Sequence, residues 1–481
     1  MAEEKLSDSE SYAHEAPSLE SRLAVDEKRL LRKLDVHLLP WVTLLYLMSF
    51  LDRGNIGNAK LAGLTKDLNL VGLQYNICTA VFFVMYAFVE VPSNALMKLV
   101  RPSRYIPCIM LLWGAVMVAM AFVKNFGGLV AARLFLGLAE AGLFPGVTFY
   151  LCLWYPRHEL AGRIAIFFSA ATLAGAFGGL LAYGIEQMDG TGGLAGWSWI
   201  FLIEGLLTVV IAILSSFFMQ DYPETATFLT EDERKYLVNR LQEDNTRLTR
   251  RFAWKFLWQA LKDWRAYMLV VMYMGVVIPA YSFSLFVPTI IAGLGYSNSQ
   301  AQLLSVPPFV LACILTISCG KLSDRLKLRG PFIIAAPSLA LVGYVILYTT
   351  HTPAAGYAGA FIAAAGLFPT VPVVLGWTGN NAGGETKRGI VIGLVIGAGN
   401  LGGIASSFIY RTQDSPRYHP GHGTVLGCLS VVIITAIFAN WEYRRVNRKK
   451  EALCEREGIT EKDMQRFEEL GDESPLYRYT L

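Results

Sequence analysis

The sequence predicts an all-α membrane protein with twelve transmembrane helices in two six-helix halves. Of its 481 residues, 54% are hydrophobic and only 17% are charged, against about 25% charged in soluble domains. The apolar residues gather into twelve segments of the length, about 20 residues, that crosses a hydrocarbon core. The longest polar interruption, 221–265, falls between the sixth and the seventh. Short alternating segments, the mark of a membrane β-barrel, do not occur.

Residues 1–35 form a polar segment, acidic first and then basic through Lys28, Arg29, Arg32 and Lys33. This differs from the short basic region and cleavable apolar stretch of a secretory signal. The first half, 36–220, holds segments near 38–57, 75–96, 105–123, 128–152, 164–185 and 198–218. Glycine and proline recur inside them, as close helix packing and local unwinding in lipid require. In the central loop, 221–265, Thr230 is followed by Glu231, Asp232 and Glu233. A cap and an acidic first turn predict a short surface helix over 230–243. The second half, 266–443, holds segments near 268–292, 303–322, 332–350, 356–378, 390–410 and 424–442, and a charged tail, 444–481, follows. Two such halves are the plan of a secondary transporter.

Lysine and arginine decide the orientation. One set of alternate loops holds Lys98, Arg101, Arg104, Arg157, Arg163, nine basic residues in 220–265, Lys321, Arg325, Lys327, Arg329, Lys387 and Arg388. The other holds only Lys60, Lys66, Lys124, Arg411 and Arg417. The first set is expected in the cytosol together with both termini, and the plasma membrane is the expected location. A net charge of +4 is too small to indicate a nucleic-acid partner. Of seven cysteines, six lie in apolar segments and none forms a CxxC pair, so neither a disulfide framework nor a zinc site is indicated. Nothing in the sequence calls for another metal or a cofactor.

The conspicuous residues are charges placed where lipid should be. The stretch Leu51-Asp52-Arg53-Gly54-Asn55-Ile56-Gly57-Asn58-Ala59 puts an acid, a base and two amides into the first segment. An ionised group at that depth normally faces protein or a water path and has a partner. In the fourth segment, Arg133 and Glu140 are about 20° short of two full turns apart and share a face with Gly137. Counting helix rise from the segment ends puts Asp52, Arg53 and Arg133 at one level and Glu140 roughly 10 Å nearer the cytosol.

As structural glue a buried ion pair contributes little, because desolvation offsets the attraction. Titratable acids beside arginines that grip a carboxylate in fork geometry offer more. An anion arriving at the arginine weakens its hold on the acid, which is then free to take a proton. Glu90 and Glu204 are weaker candidates. Tyr281, Asn380, Asn381 and Asn400 could donate uncharged hydrogen bonds, although helix contacts are the commoner role for such residues. His37, His419 and His422 lie at helix ends or in a loop, where solvated or packing roles are the default.

Several local motifs accompany these charges. They are Lys28-Arg29-Leu30-Leu31-Arg32-Lys33-Leu34-Asp35, the Leu51 to Ala59 stretch, Glu90-Val91-Pro92-Ser93-Asn94 and the Arg133 to Glu140 run. Further on come Trp154-Tyr155-Pro156-Arg157 with Glu159 and Arg163, Trp377 with Asn380-Asn381 and Gly383, Thr386-Lys387-Arg388, and Arg478-Tyr479. From Glu27 to the last residue the chain resembles the major facilitator superfamily, anion:cation symporter group. Within it, the chain is similar to the fungal allantoate permease branch with its nicotinate, pantothenate and biotin carriers.

The resemblance implies proton-carrying roles for Asp52 and Glu140 and anion contacts at Arg53 and Arg133. Asn55, Tyr281, Asn381 and Asn400 are the further substrate-site candidates. The superfamily's loop signature stands intact as Gly320-Lys321-Leu322-Ser323-Asp324-Arg325, with Arg329 beyond it. The matching first-half loop has Lys98 at the acid's place, followed by Arg101 and Arg104. These six residues are the expected gating set, without a symmetric charge latch. The fifth segment lacks the Gly-Pro of drug/proton antiporters and the seventh lacks the extra arginine of vesicular glutamate carriers, which argues against export and against glutamate.

The expected function is proton-coupled uptake of a small organic monoanion by alternating access. The expected partners are that anion, a proton and the lipid bilayer, and the chain should work as a monomer. An enzyme is not expected, because the ionisable residues lie inside helices and no GxxxxGK[ST] loop occurs. The alternatives are a substrate sensor with little flux, for which the tail is short, and an organic-anion carrier working in a different direction.

Overall fold

The computed structural model describes residues 26–246, 254–383, 385–459 and 472–481. Twelve long helices make up most of them. In the first half these are α1 Glu27–Leu61, α2 Gln74–Leu99, α3 Pro102–Met120, α4 Phe126–Trp154, α5 Arg157–Glu186 and α6 Gly196–Phe218. In the second half they are α7 Trp264–Gly293, α8 Asn298–Leu326, α9 Gly330–Thr349, α10 Pro353–Asn381, α11 Glu385–Ser406 and α12 His419–Glu457. Eleven are long and apolar enough to cross a membrane, and α2, 26 residues long, packs among them as the twelfth. Phe88, Leu112, Phe217 and Ile434 are exposed on the outside. So large an apolar surface is stable against lipid tails and not against water.

Three elements differ from the sequence-based expectation. First, α1 starts at Glu27, inside the segment expected to be polar. Asp26 accepts hydrogen bonds from the amides of Lys28 and Arg29, and Leu30 and Leu34, one turn apart, are fully buried. Second, α4 is interrupted at Ala141-Gly142, just after Glu140. A Cβ on Gly142 would collide with Ser93 Oγ of α2. Third, α12 runs on to Glu457. The surface helix of the central loop spans Glu231–Thr246 and starts with a capping box, in which Thr230 Oγ accepts from Glu233 N and Glu233 Oε2 accepts from Thr230 N. A second short helix, Trp254–Lys262, was not expected.

In the first half α1 packs on α5 and α6, α3 on α6 and α4, and α2 on α4. In the second half α10 packs on α7, α8 and α9, and α12 on α7 and α9. The halves meet mainly through α1·α7, α2·α11 and α5·α8. These seams close at the end remote from the termini. There a Cβ on Gly57 would strike the Leu285 carbonyl, Asn298 Nδ2 donates to Leu61 O at 2.9 Å, and Asn76 Nδ2 donates to Ser407 O at 2.6 Å.

Toward the terminus-bearing end the seam opens. On one face of α11, Gly403 is pressed against Phe83 of α2, whereas Gly389, Gly393 and Gly397 further along that face meet open space. The ion pairs at this end stay within one half among the described residues: Arg163–Asp35, Lys33–Glu233 and Arg240–Glu159 in the first, and Lys387–Asp263 and Arg329–Asp324 in the second.

Residues 472–481 lie across the terminus-bearing end of the second half. Asn381 of α10 brackets Thr480, accepting from its N at 2.7 Å and donating to its O at 3.1 Å, and Trp377 Nε1 donates to the same carbonyl. Asn447 of α12 brackets Tyr479 in the same way. The Tyr479 ring stacks on Tyr443 at 4.8 Å. Leu481 O accepts from Arg329 N, and Asp472 pairs with Lys387 at 2.8 Å. One short segment thus ties together the ends of α9, α10, α11 and α12.

Candidate functional site

The centre of the site is Arg53 on α1, 6% exposed. Its Nη2 donates to Glu140 Oε1 of α4 at 2.6 Å, and Ser49 Oγ, one turn away on α1, donates to the same oxygen at 2.6 Å. The rings of Phe50, Phe82, Phe83, Tyr86 and Tyr281 all lie within 6.0 Å of the guanidinium carbon. Aromatic faces attract a cation while keeping water away, so the box holds the guanidinium in place without neutralising it. Among the described residues, Glu140 alone does that.

Arg133 approaches one wall of the box. Its guanidinium lies over Phe82 at 5.1 Å, the same distance as Arg53. It is fully buried, with Nε donating to Cys78 O at 3.3 Å and both terminal nitrogens lacking a hydrogen-bond partner. Arg53 and Arg133 therefore share a single ring. Arg133 is not bonded to Glu140, although the two share a face of α4.

Asp52 points elsewhere. Neighbouring residues of a helix diverge by about 100°, and Asp52 turns into the first half, where its Oδ2 accepts from Trp113 Nε1 of α3 at 3.0 Å and Thr208 Oγ1 of α6 at 2.8 Å. Asn55, on the same side, donates to Glu204 Oε2 of α6 at 2.8 Å. The charges thus form two sets: Arg53, Glu140 and Arg133 between α1, α2 and α4, and Asp52 with Glu204 behind α1.

The second half contributes uncharged groups. Tyr281 of α7 forms part of the box, and Asn400 of α11 donates to Glu90 Oε2 of α2 at 2.7 Å across the seam. Glu90 and Tyr281 are only partly buried and border the open side of the seam. Between α1, α5, α7 and α8 a cavity of about 40 Å³ is lined by Phe50, Gly54, Asn58, Gly178 and Pro288, room for one or two waters.

Other candidates lie far from this centre. Asn381 belongs to the terminal strap and not to the box. Asp324 pairs with Arg329, Arg325 is exposed, and Arg101 and Arg104 are exposed at the terminus-bearing end. The side chain of Lys98 lies outside the described residues. The sequence reading does not single out Ser49, Phe50, Phe82, Phe83, Tyr86, Trp113 or Thr208. The aromatic residues Phe82, Phe83 and Tyr86 with Glu90 do recur at helical spacing on α2, but core packing produces the same pattern.

Among known proteins, residues 42–407 match the family described as Major Facilitator Superfamily. A high-affinity nicotinic acid transporter of Saccharomyces cerevisiae is 34% identical over 94% of this chain and 85% of its own length. An uncharacterized transporter of Schizosaccharomyces pombe is 37% identical over 89% of this chain and 86% of its own. Among solved structures, a bacterial homolog of the lysosomal transporter Spinster, inward-facing, superposes with a TM-score of 0.66 at 17% identity, covering 84% of this chain and 95% of that one. The xylose transporter of E. coli, in a partially occluded inward-open form, gives 0.61 at 14% identity, covering 84% and 97%. The chain belongs to the Major Facilitator Superfamily; it is an integral membrane transporter and not an enzyme.

Proposed function

We propose that this transporter imports a small organic anion together with a proton, by alternating access of its two halves, and that the termini and basic loops lie in the cytosol of a plasma-membrane protein. The observation that carries the reading is the Arg53–Glu140 pair, buried in an aromatic box at the junction of the halves. A guanidinium presents a fixed fork of donors, so an arriving carboxylate competes with Glu140 for it. A displaced Glu140 has no other cation bonded to it among the described residues, and taking a proton lets it stay buried without charge. Anion and proton are then loaded together. The rings around Arg53 favour a flat or apolar body on the anion. The relative named for nicotinic acid makes nicotinate the first anion to try.

The test is uptake into proteoliposomes under an imposed pH gradient, with a panel of monocarboxylates competing against labelled nicotinate. Glu140→Gln, which still accepts from Arg53 and cannot take the proton, is expected to abolish accumulation driven by the gradient. A variant that folds, inserts and still concentrates the anion would defeat the coupling proposed here.

A further inference from the structure

The proton-coupled reading leaves Glu204 without a role, although it is 2% exposed in the middle of α6 and carries a carboxylate. Two rungs join α6 to α1. Asn55 Nδ2 donates to Glu204 Oε2, and one turn along each helix Thr208 Oγ1 donates to Asp52 Oδ2. The two carboxylates are near enough to interact electrostatically. Trp113 on α3 donates to Asp52, and Glu140 of α4, also buried beside α1, is held by Arg53 and Ser49. No ionisable group of α5 is bonded to either acid, and no lysine, arginine or histidine pairs with them among the described residues.

The oxygens on this side of α1 are also left without donors. Asp52 Oδ1, Asn55 Oδ1 and Glu204 Oε1 are buried and lack a hydrogen-bond partner among the described residues. All three accept and none donates. Two ionised carboxylates buried together, with no cation and a surplus of acceptors, would be strongly destabilising. A proton resolves both difficulties, because a carboxylic acid turns one acceptor into a donor.

We propose that Glu204 is a proton-holding residue, sharing with Asp52 a site that the body of α1 separates from the Arg53–Glu140 pair. Protonation forms an O–H bond at Glu204 Oε1, which donates to a neighbouring orphan oxygen; deprotonation returns the proton to water and leaves two like charges one turn apart. The same stretch of α1 carries closing contacts: Gly57 lies against Leu285 of α7, and Asn58 Nδ2 donates to Gly178 O of α5 at 3.3 Å. The protonation state of this site thereby bears on how α1 seats against the second half. The inference deepens the proton-coupled reading and rests on it for its meaning in transport.

Its test needs no known substrate. Infrared difference spectra between acid and alkaline pH are recorded on the full chain in lipid. The carboxylic C=O band should lose one component in Glu204→Gln, a variant isosteric with the protonated acid, and a second component in Asp52→Asn. An unchanged band in a folded Glu204→Gln variant overturns the proposal. Should that variant fail to fold, Asn55→Ala, which removes a donor from the charged form, should raise the midpoint of the band by about one pH unit; no shift overturns the proposal as well. Labelled nicotinate uptake under a pH gradient is run in parallel. Wild-type protein that titrates but shows no coupled uptake refutes symport and leaves the proton site standing.

Discussion

The two halves share a helical plan and divide the polar chemistry unequally. Within its helices the first half buries Asp52, Arg53, Arg133, Glu140 and Glu204. In the second half the buried polar residues of the helix interiors are mostly uncharged, among them Ser282, Gln302, Ser305, Thr370, Thr378 and Asn400; His422 lies near the remote end of α12, and Lys387 and Glu442 lie toward the terminus-bearing end. Buried charge is costly and is kept where it acts, so the charged groups at the centre of the molecule belong to the first half. The second supplies a neutral wall, chiefly Tyr281 and Asn400, and spends its ion pairs on its own edge.

Five substitutions would break or sharpen that contrast. The largest effect is expected from Arg53→Ala, which strands Glu140 in the aromatic box. Removing one partner of a buried pair costs about 3–5 kcal/mol, measurable as a fall in thermal stability of the purified protein together with loss of anion uptake. Tyr281→Ala, on the neutral wall, should affect substrate affinity far more than stability; equal destabilisation would erase the asymmetry.

Next come paired glycine changes. Gly57→Val places a side chain against the Leu285 carbonyl and should hold the remote end open, read as increased labelling of a cysteine introduced there. Gly393→Val, on the open stretch of α11, should leave that labelling unchanged or reduced. The smallest effect is expected from Lys387→Met, which leaves Asp472 and Asp263 without their shared cation. Losing charged hydrogen bonds of this kind costs about 2 kcal/mol, and residues 472–481 should become accessible to protease without loss of anion specificity.

Much of this was legible in the sequence. Twenty-residue apolar runs reveal the helices, and charges inside them reveal where the chemistry lies. Facing was not legible. Asp52 and Arg53 are adjacent in a helix apolar on every side, so no periodicity tells which of them meets α4 and which meets α6. Glu204 ranks only as a weaker candidate in the sequence because Asn55 and Asp52, the α1 residues of its two rungs, lie about 150 residues away. Asn381 was read as a substrate contact for a similar reason: its bracket closes on Thr480, 99 residues further along.

That bracket has a consequence for how the protein is made. Insertion of α7 to α12 into the bilayer does not by itself complete the second half, since Trp377, Asn381, Lys387 and Asn447 all await partners in residues 472–481. Without that stretch Trp377, Asn381 and Asn447 lose these partners, while Lys387 keeps Asp263. Residues 472–481 therefore act as a seal on the assembled second half, and bulk attached beside Leu481 competes with them for space.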